Sequence, residues 1–149
     1  MLGFPTSVTN VTAGGNGARS LPLILARELA SNLSTPMFLL DASMNLVYFN
    51  EAAEQLIGKP FAEIGEVSGE DFGTVLALAE ADGSHLRRRD SPAGVAFFDR
   101  HPAHRTLQAT GYDGVRRLVD ATAFPLFGKN GEMHGVVNVF WLASSGDEG

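Results

Sequence analysis

The stretch Met37 to Gly58, "MFLLDASMNLVYFNEAAEQLIG", constrains the fold more than any other part of the chain. "MFLLD" is apolar nearly throughout and "LVYFN" is rich in β-branched and aromatic residues; the break Ala42-Ser43-Met44-Asn45 between them suits a turn, which predicts a β-hairpin. Asn50 then precedes "EAAEQLIGK". Its side chain can cap the first free helical N–H groups, Glu51 and Glu54 suit the positive helix end, and Gly58 can close the helix in the left-handed conformation.

On the N-terminal side, Ser20 is placed to cap "LPLILARELASNL", with Pro22 tolerated in the first turn. Leu21, Leu25, Leu29 and Leu33, with Ile24 beside them, form an apolar stripe that has to be buried on its own domain or on a second copy of the chain. Residues 1–19 are poor in large apolar groups and read as a flexible leader. The glycines of "TAGGNGARS" lack the Lys-Ser/Thr pair that a phosphate loop requires.

Beyond Pro60, "FAEIGE" reads as a helical turn. "GEDFGTVLALAEA" places Phe72, Val75, Leu76 and Ala79 at helical spacing, and "SPAGVAFF" is a short helix capped by Ser91 with Pro92 at its first position. "AHRTLQATG", "VRRLVDATAFPLF" and "EMHGVVNVFWLA", separated by the turns "YDG" and "GKNG", read as three antiparallel strands. The expectation is an α+β domain over residues 34–142, preceded by a cap helix over 20–33 and followed by a solvated tail over 143–149.

A chain of 149 residues with 44% hydrophobic residues suffices for one core. Its net charge of -6 offers no general attraction for nucleic acid or anionic lipid, and the Arg87-Arg88-Arg89 run reads as a local solvated segment. No apolar run has the length of a membrane span or the form of a signal peptide, so a cytoplasmic location is expected. The absence of cysteine removes thiol nucleophiles, disulfides, thiolate zinc sites and iron–sulfur clusters. There is also no G-x-S-x-G elbow, H-E-x-x-H or Walker sequence.

Three passages in this order resemble the PAS domain family. "FLLDASMNLVYFNEAAEQLIG" is similar to the family's ψ-ψ-D-x-x-G-x-ψ-x-x-x-N-x-A opening, with Asp41, Asn50 and Ala52 in place and Asn45 where glycine is commoner. "GYDGVRRLVDATAFPL" is similar to its strand-turn-strand passage, and "GKNGEMHGVVNVFW" to its closing hairpin. The resemblance implies a five-stranded antiparallel sheet in spatial order 2-1-5-4-3, cupping short helices around a small cavity. It further implies a bacterial, non-catalytic sensory or interaction module in signal transduction. Such a module binds a small molecule, a partner signalling protein or effector domain, or both, and the Leu21 to Leu33 helix looks like the amphipathic cap that pairs two copies into a homodimer. No phosphoacceptor box, ATP-binding region, cyclase or helix-turn-helix follows residue 142, so the output is expected to belong to a partner or to another part of a larger protein.

The cue can be narrowed. The light-sensing flavin subgroup needs a cysteine for its adduct and the hydroxycinnamoyl photoreceptors attach their chromophore to one, so both are excluded. Haem is not expected, and His101 is the candidate for its axial ligand; His85, His104 and His134 read as surface or turn residues. For a non-covalent ligand, Phe97, Phe98, Leu118, Phe124 and Phe140 are the apolar pocket candidates, and they are equally the expected core. Asp120 and Asn138 are polar groups inside apolar strands: facing in they need partners that a ligand or water could supply, facing out they are ordinary strand polarity. Two alternatives stand beside the sensor: an interaction module with a filled core, and a small-cavity isomerase using Asp41 or Asp120 as a buried base.

Overall fold

The computed structural model describes residues 20–143, so the expected leader and nearly all of the expected tail lie outside the described residues. The first helix, α1 (Leu21–Ser31), begins at Ser20, whose hydroxyl accepts from the Leu23 N–H. The predicted hairpin follows as β1 (Met37–Asp41) and β2 (Leu46–Phe49). Its turn is fixed by the Asp41 carboxylate, which accepts from the Ser43 and Asn45 N–H groups, and by Met44 in the left-handed region.

Three short helices cross one face of the sheet: α2 (Glu51–Ile57), capped by Asn50 and closed by Gly58 at φ +91°, α3 (Phe61–Ile64) and α4 (Gly69–Leu76). A two-residue strand, β3 (Ala79–Glu80), a 3-10 turn (Arg88–Asp90) and α5 (Pro92–Phe98) lead into the meander. The meander comprises β4 (Ala103–Thr110), β5 (Arg116–Phe127) and β6 (Met133–Leu142).

The strands form one antiparallel sheet in the order β2-β1-β6-β5-β4-β3. The five long strands lie in the expected order, with a sixth added at the edge. That sixth strand corrects the reading of 69–81 as one helix. The helix stops where Ala77 turns left-handed, and Ala79 and Glu80 pair with Gln108 and Leu107 of β4 instead of continuing the helical period. Tertiary pairing has overridden a local pattern.

Alternation along the strands divides the molecule into two layers of side chains. Leu40, Phe49, Val119, Ala121, Ala123, Val136 and Phe140 face α2 to α5 and form the larger core. Met37, Leu39, Val47 and Val137 face the opposite way, where Leu23 and Ala30 of α1 cover them. Thus, among the described residues, α1 is the one helix on the outer face of the sheet, and it docks through Leu23, Ala26 and Ala30 rather than through its leucine stripe. Small side chains at 26 and 30 let the helix approach closely, so Leu21, Leu25 and Leu29 are left 57–65% exposed.

Candidate functional site

Between the inner face of the sheet and the helices lies a cavity of about 90 Å³. Its wall is nearly all apolar: Phe38, Leu107, Ala121 and Phe140 from the strands, Phe72 and Leu76 from α4. Against this lining stands Asn138, on β6, which is only 4% exposed. Its backbone pairs with Phe38 and Ala123, but its side-chain amide makes no hydrogen bond among the described residues. Among the other polar residues at the wall, Ser91 and Arg117 are engaged. The Ser91 hydroxyl donates to the Arg88 carbonyl and accepts from the Gly94 N–H. Arg117 donates to the Leu56 carbonyl and forms a double contact with Asp113, whose carboxyl is thereby held below the usual carboxylate range.

The three-arginine run is not uniform. Arg87 pairs with Asp90 at 2.8 Å and Arg89 with Asp99 at 2.9 Å, both exposed. Arg88 has no hydrogen-bonding or ion-pairing side-chain partner among the described residues. Instead it lies along α4 where Gly69 and Gly73, one helical turn apart, leave a track: a Cβ at either position would come within 2.8 Å of the Arg88 side chain. There Arg88 forms, with Gly73 and Leu78, the common wall between the inner cavity and a wider outer groove of about 510 Å³ that also holds His85 and Arg116.

Of the pocket candidates read from sequence, Asn138 and Phe140 line the cavity. Phe97 packs against the core without reaching the cavity, and Phe98 at the end of α5 is 52% exposed. Leu118, Asp120 and Phe124 lie on the outer face, because β5 turns Val119, Ala121 and Ala123 inward and a one-residue offset reverses every side chain. Asp120 there accepts a hydrogen bond from Thr106 across the strand pair. Asp41 is used in the hairpin turn, so neither aspartate stands in the apolar cavity as an isomerase base would.

His101 is exposed, within 2.9 Å of the Pro102 carbonyl, and does not line the cavity. With no histidine in its wall and a volume well below the roughly 300–1,000 Å³ of pockets for drug-sized ligands, the cavity does not fit haem or a flavin. No cluster of metal-ligating side chains occurs among the described residues.

Sequence reasoning missed Leu107, Ala121 and Arg88 as wall residues. The signal available for Arg88 was the Gly69–Gly73 spacing ahead of the arginine run. It also read Asn50 too narrowly. The Asn50 carbonyl oxygen does cap α2 through the Ala53 N–H, but it also accepts from Met37 N–H, while its amide nitrogen donates to the carbonyls of Ala30, Thr35 and Leu33. One buried side chain therefore ties α1, β1 and α2 together.

A sheet in this order, closed on one face by short helices over a small cavity, defines an α+β domain built as a helix-covered cup. Residues 25–96 match the family model described as PAS domain. These residues carry a PAS domain match, and the fold around them is that of PAS domain structures. The fold is similar to the PAS domain of nitrogen regulation protein NR(II) from Vibrio parahaemolyticus, with a TM-score of 0.58 and 16% identity over 80% of this chain and 98% of that one. It is also similar to the PAS domain of the fruit-fly ELK potassium channel, with a TM-score of 0.63 and 10% identity over 80% and 95% of the two chains. A third similar structure is the light-state dimer of the fungal blue-light photoreceptor Vivid, with a TM-score of 0.58 and 14% identity over 88% and 99%. No curated protein sequence matches the chain. Among the described residues no helix is long and apolar enough to cross a membrane.

Proposed function

We propose that this PAS domain is a non-catalytic sensory module that takes a small molecule into the inner cavity and pairs with a second copy through α1. The observation that carries the reading is the cavity itself, lined mainly by apolar side chains and holding a buried amide that makes no hydrogen bond among the described residues. The route to α1 is short, because β1 and β6 carry both surfaces. Phe38 and Phe140 line the cavity, while their neighbours Met37, Leu39 and Val137 meet α1 on the other side. A ligand that shifts these strands is felt by the helix without further parts.

The second copy is supported by Leu21, Ile24, Leu25 and Leu29, each 46–65% exposed on one outward face, with Leu33 at its end. A symmetric pair would bury the same stripe from both copies. The similar Vivid structure is itself a dimer.

Native mass spectrometry tests both parts. The protein is expected as a dimer carrying a small added mass. Replacing Leu25 and Leu29 with Glu should give folded monomer, since neither side chain is in the core, whereas Leu23→Glu should unfold α1 from the sheet. A wild-type monomer, or an unchanged mass in the double variant, would refute the α1 pairing. A protein that purifies at sequence mass and gains no mass or thermal stability from any small molecule would refute the ligand reading.

A further inference from the structure

The chemistry of the cavity wall specifies more than its presence. Asn138 offers an amide donor and acceptor at 4% exposure, and leaving such a group unpaired is costly, so an occupant must bring a hydrogen-bonding group to it. A charged group is disfavoured in the same place. Arg117 is committed to Asp113 and Leu56, and Arg88, though in the wall and without a side-chain partner among the described residues, is exposed and keeps its charge in solvent, so an anion drawn in to Asn138 would give up its own water for a screened counter-charge. The volume, about 90 Å³, limits the occupant to a molecule of a few non-hydrogen atoms.

From these three constraints we infer that the ligand is a small neutral molecule with an apolar body and a single hydroxyl, carbonyl or carboxamide group, hydrogen-bonded to the Asn138 amide. This rests on the reading that the cavity takes a small molecule. It also gives Arg88 a place: its side chain, laid over Gly69 and Gly73, is the part of the wall that can swing aside without moving backbone.

The test is titration of the isotope-labelled 149-residue chain with isobutyramide, isobutyrate, 1-butanol and cyclopentane, followed by NMR. Isobutyramide and isobutyrate share a shape and differ in charge, and cyclopentane reports the cavity without a polar contact. Isobutyramide and 1-butanol are expected to shift the Asn138 side-chain amide signals, and isobutyrate to bind at least tenfold more weakly than isobutyramide. In Asn138→Leu, both polar probes should weaken by about fivefold relative to cyclopentane, the equivalent of one net hydrogen bond. Isobutyrate binding as tightly as isobutyramide, or polar probes binding wild type without moving the Asn138 amide signals, would overturn the ligand class while leaving the cavity reading intact; the second outcome needs no variant to fold. If no probe, cyclopentane included, shifts the signals of Ala121 or Phe140, the cavity reading fails together with this one.

Discussion

Replacing Asn50 with Ala should be among the most damaging single changes in this domain, although Asn50 touches no ligand site. The side chain is 1% exposed and makes four good hydrogen bonds: from Met37 N–H at 3.1 Å and Ala53 N–H at 3.0 Å, and to the carbonyls of Ala30 at 3.0 Å and Thr35 at 2.8 Å. At about 1 kcal/mol net for each, Asn50→Ala loses about 4 kcal/mol, a large share of the roughly 5–15 kcal/mol that holds a domain of this size. Urea unfolding followed by far-UV circular dichroism measures the loss, and hydrogen exchange should show the C-terminal turn of α1 opening first. Asn50→Asp sharpens the test. It keeps the accepting oxygen but sets a second carboxylate oxygen against the Ala30 and Thr35 carbonyls, which raises the folded-state pKa of the new carboxyl above its unfolded value. The stability it retains is therefore present at low pH, where a protonated carboxyl can donate, and is lost as pH rises through the folded pKa. A loss below about 1 kcal/mol in Asn50→Ala, or an Asn50→Asp variant more stable at neutral than at acid pH, would refute the clasp.

Two further outcomes follow from local geometry. At Gly69 a Cβ would collide with the Met44 carbonyl oxygen, which is backbone, whereas at Gly73 it would meet only the Cδ of Arg88, a flexible side chain; Gly69→Ala should therefore destabilise by about 1–3 kcal/mol in urea unfolding and Gly73→Ala by clearly less, while displacing Arg88. The Asp113 carboxyl is held low first by its hydrogen bond from Arg117, then by the Val115 N–H; its contribution is present above the unfolded pKa and lost as pH falls through the folded one, so Asp113→Asn should flatten the acid limb of thermal stability below about pH 4 and leave stability at pH 7–8 insensitive to pH.

What was legible in the sequence was what short-range chemistry decides. The hairpin, the Asn50 and Ser91 caps, the Gly58 stop and the meander each announce themselves within a few residues, and the family's passages set their order. The rest depends on partners distant in sequence. Ala79 leaves a helical pattern because β4 is there to pair with it. The stretch Leu118-Val119 offers apolar residues to both faces, so the parity of β5 is set by the helices, which accept Ala121 and Ala123 and leave Phe124 outside. On α1 the large residues announce the interface and the small ones make it, since close approach to the sheet favours Ala26 and Ala30. Asn50 reads as a cap because its partner three residues away is visible, while those 13 to 20 residues away are not.

The same parity supplies a comparison between two alanines that differ chiefly in what lies beside them. Ala121 is 5% exposed and lines the cavity; Ala96, on α5, is fully buried and does not. Replacement by Leu adds three carbons at each site. At Ala121 they enter empty space, and filling about 90 Å³ at about 24 cal/mol per Å³ recovers up to about 2 kcal/mol, less any strain of the new rotamer. At Ala96 they enter close-packed core, where overpacking costs about 1–3 kcal/mol. Urea unfolding should therefore separate the two variants by about 3 kcal/mol, with Ala121→Leu no less stable than wild type and closed to every probe that the cavity accepts. Equal destabilisation of the two would mean that the space beside Ala121 is already filled, and that the inner face of this sheet is core throughout.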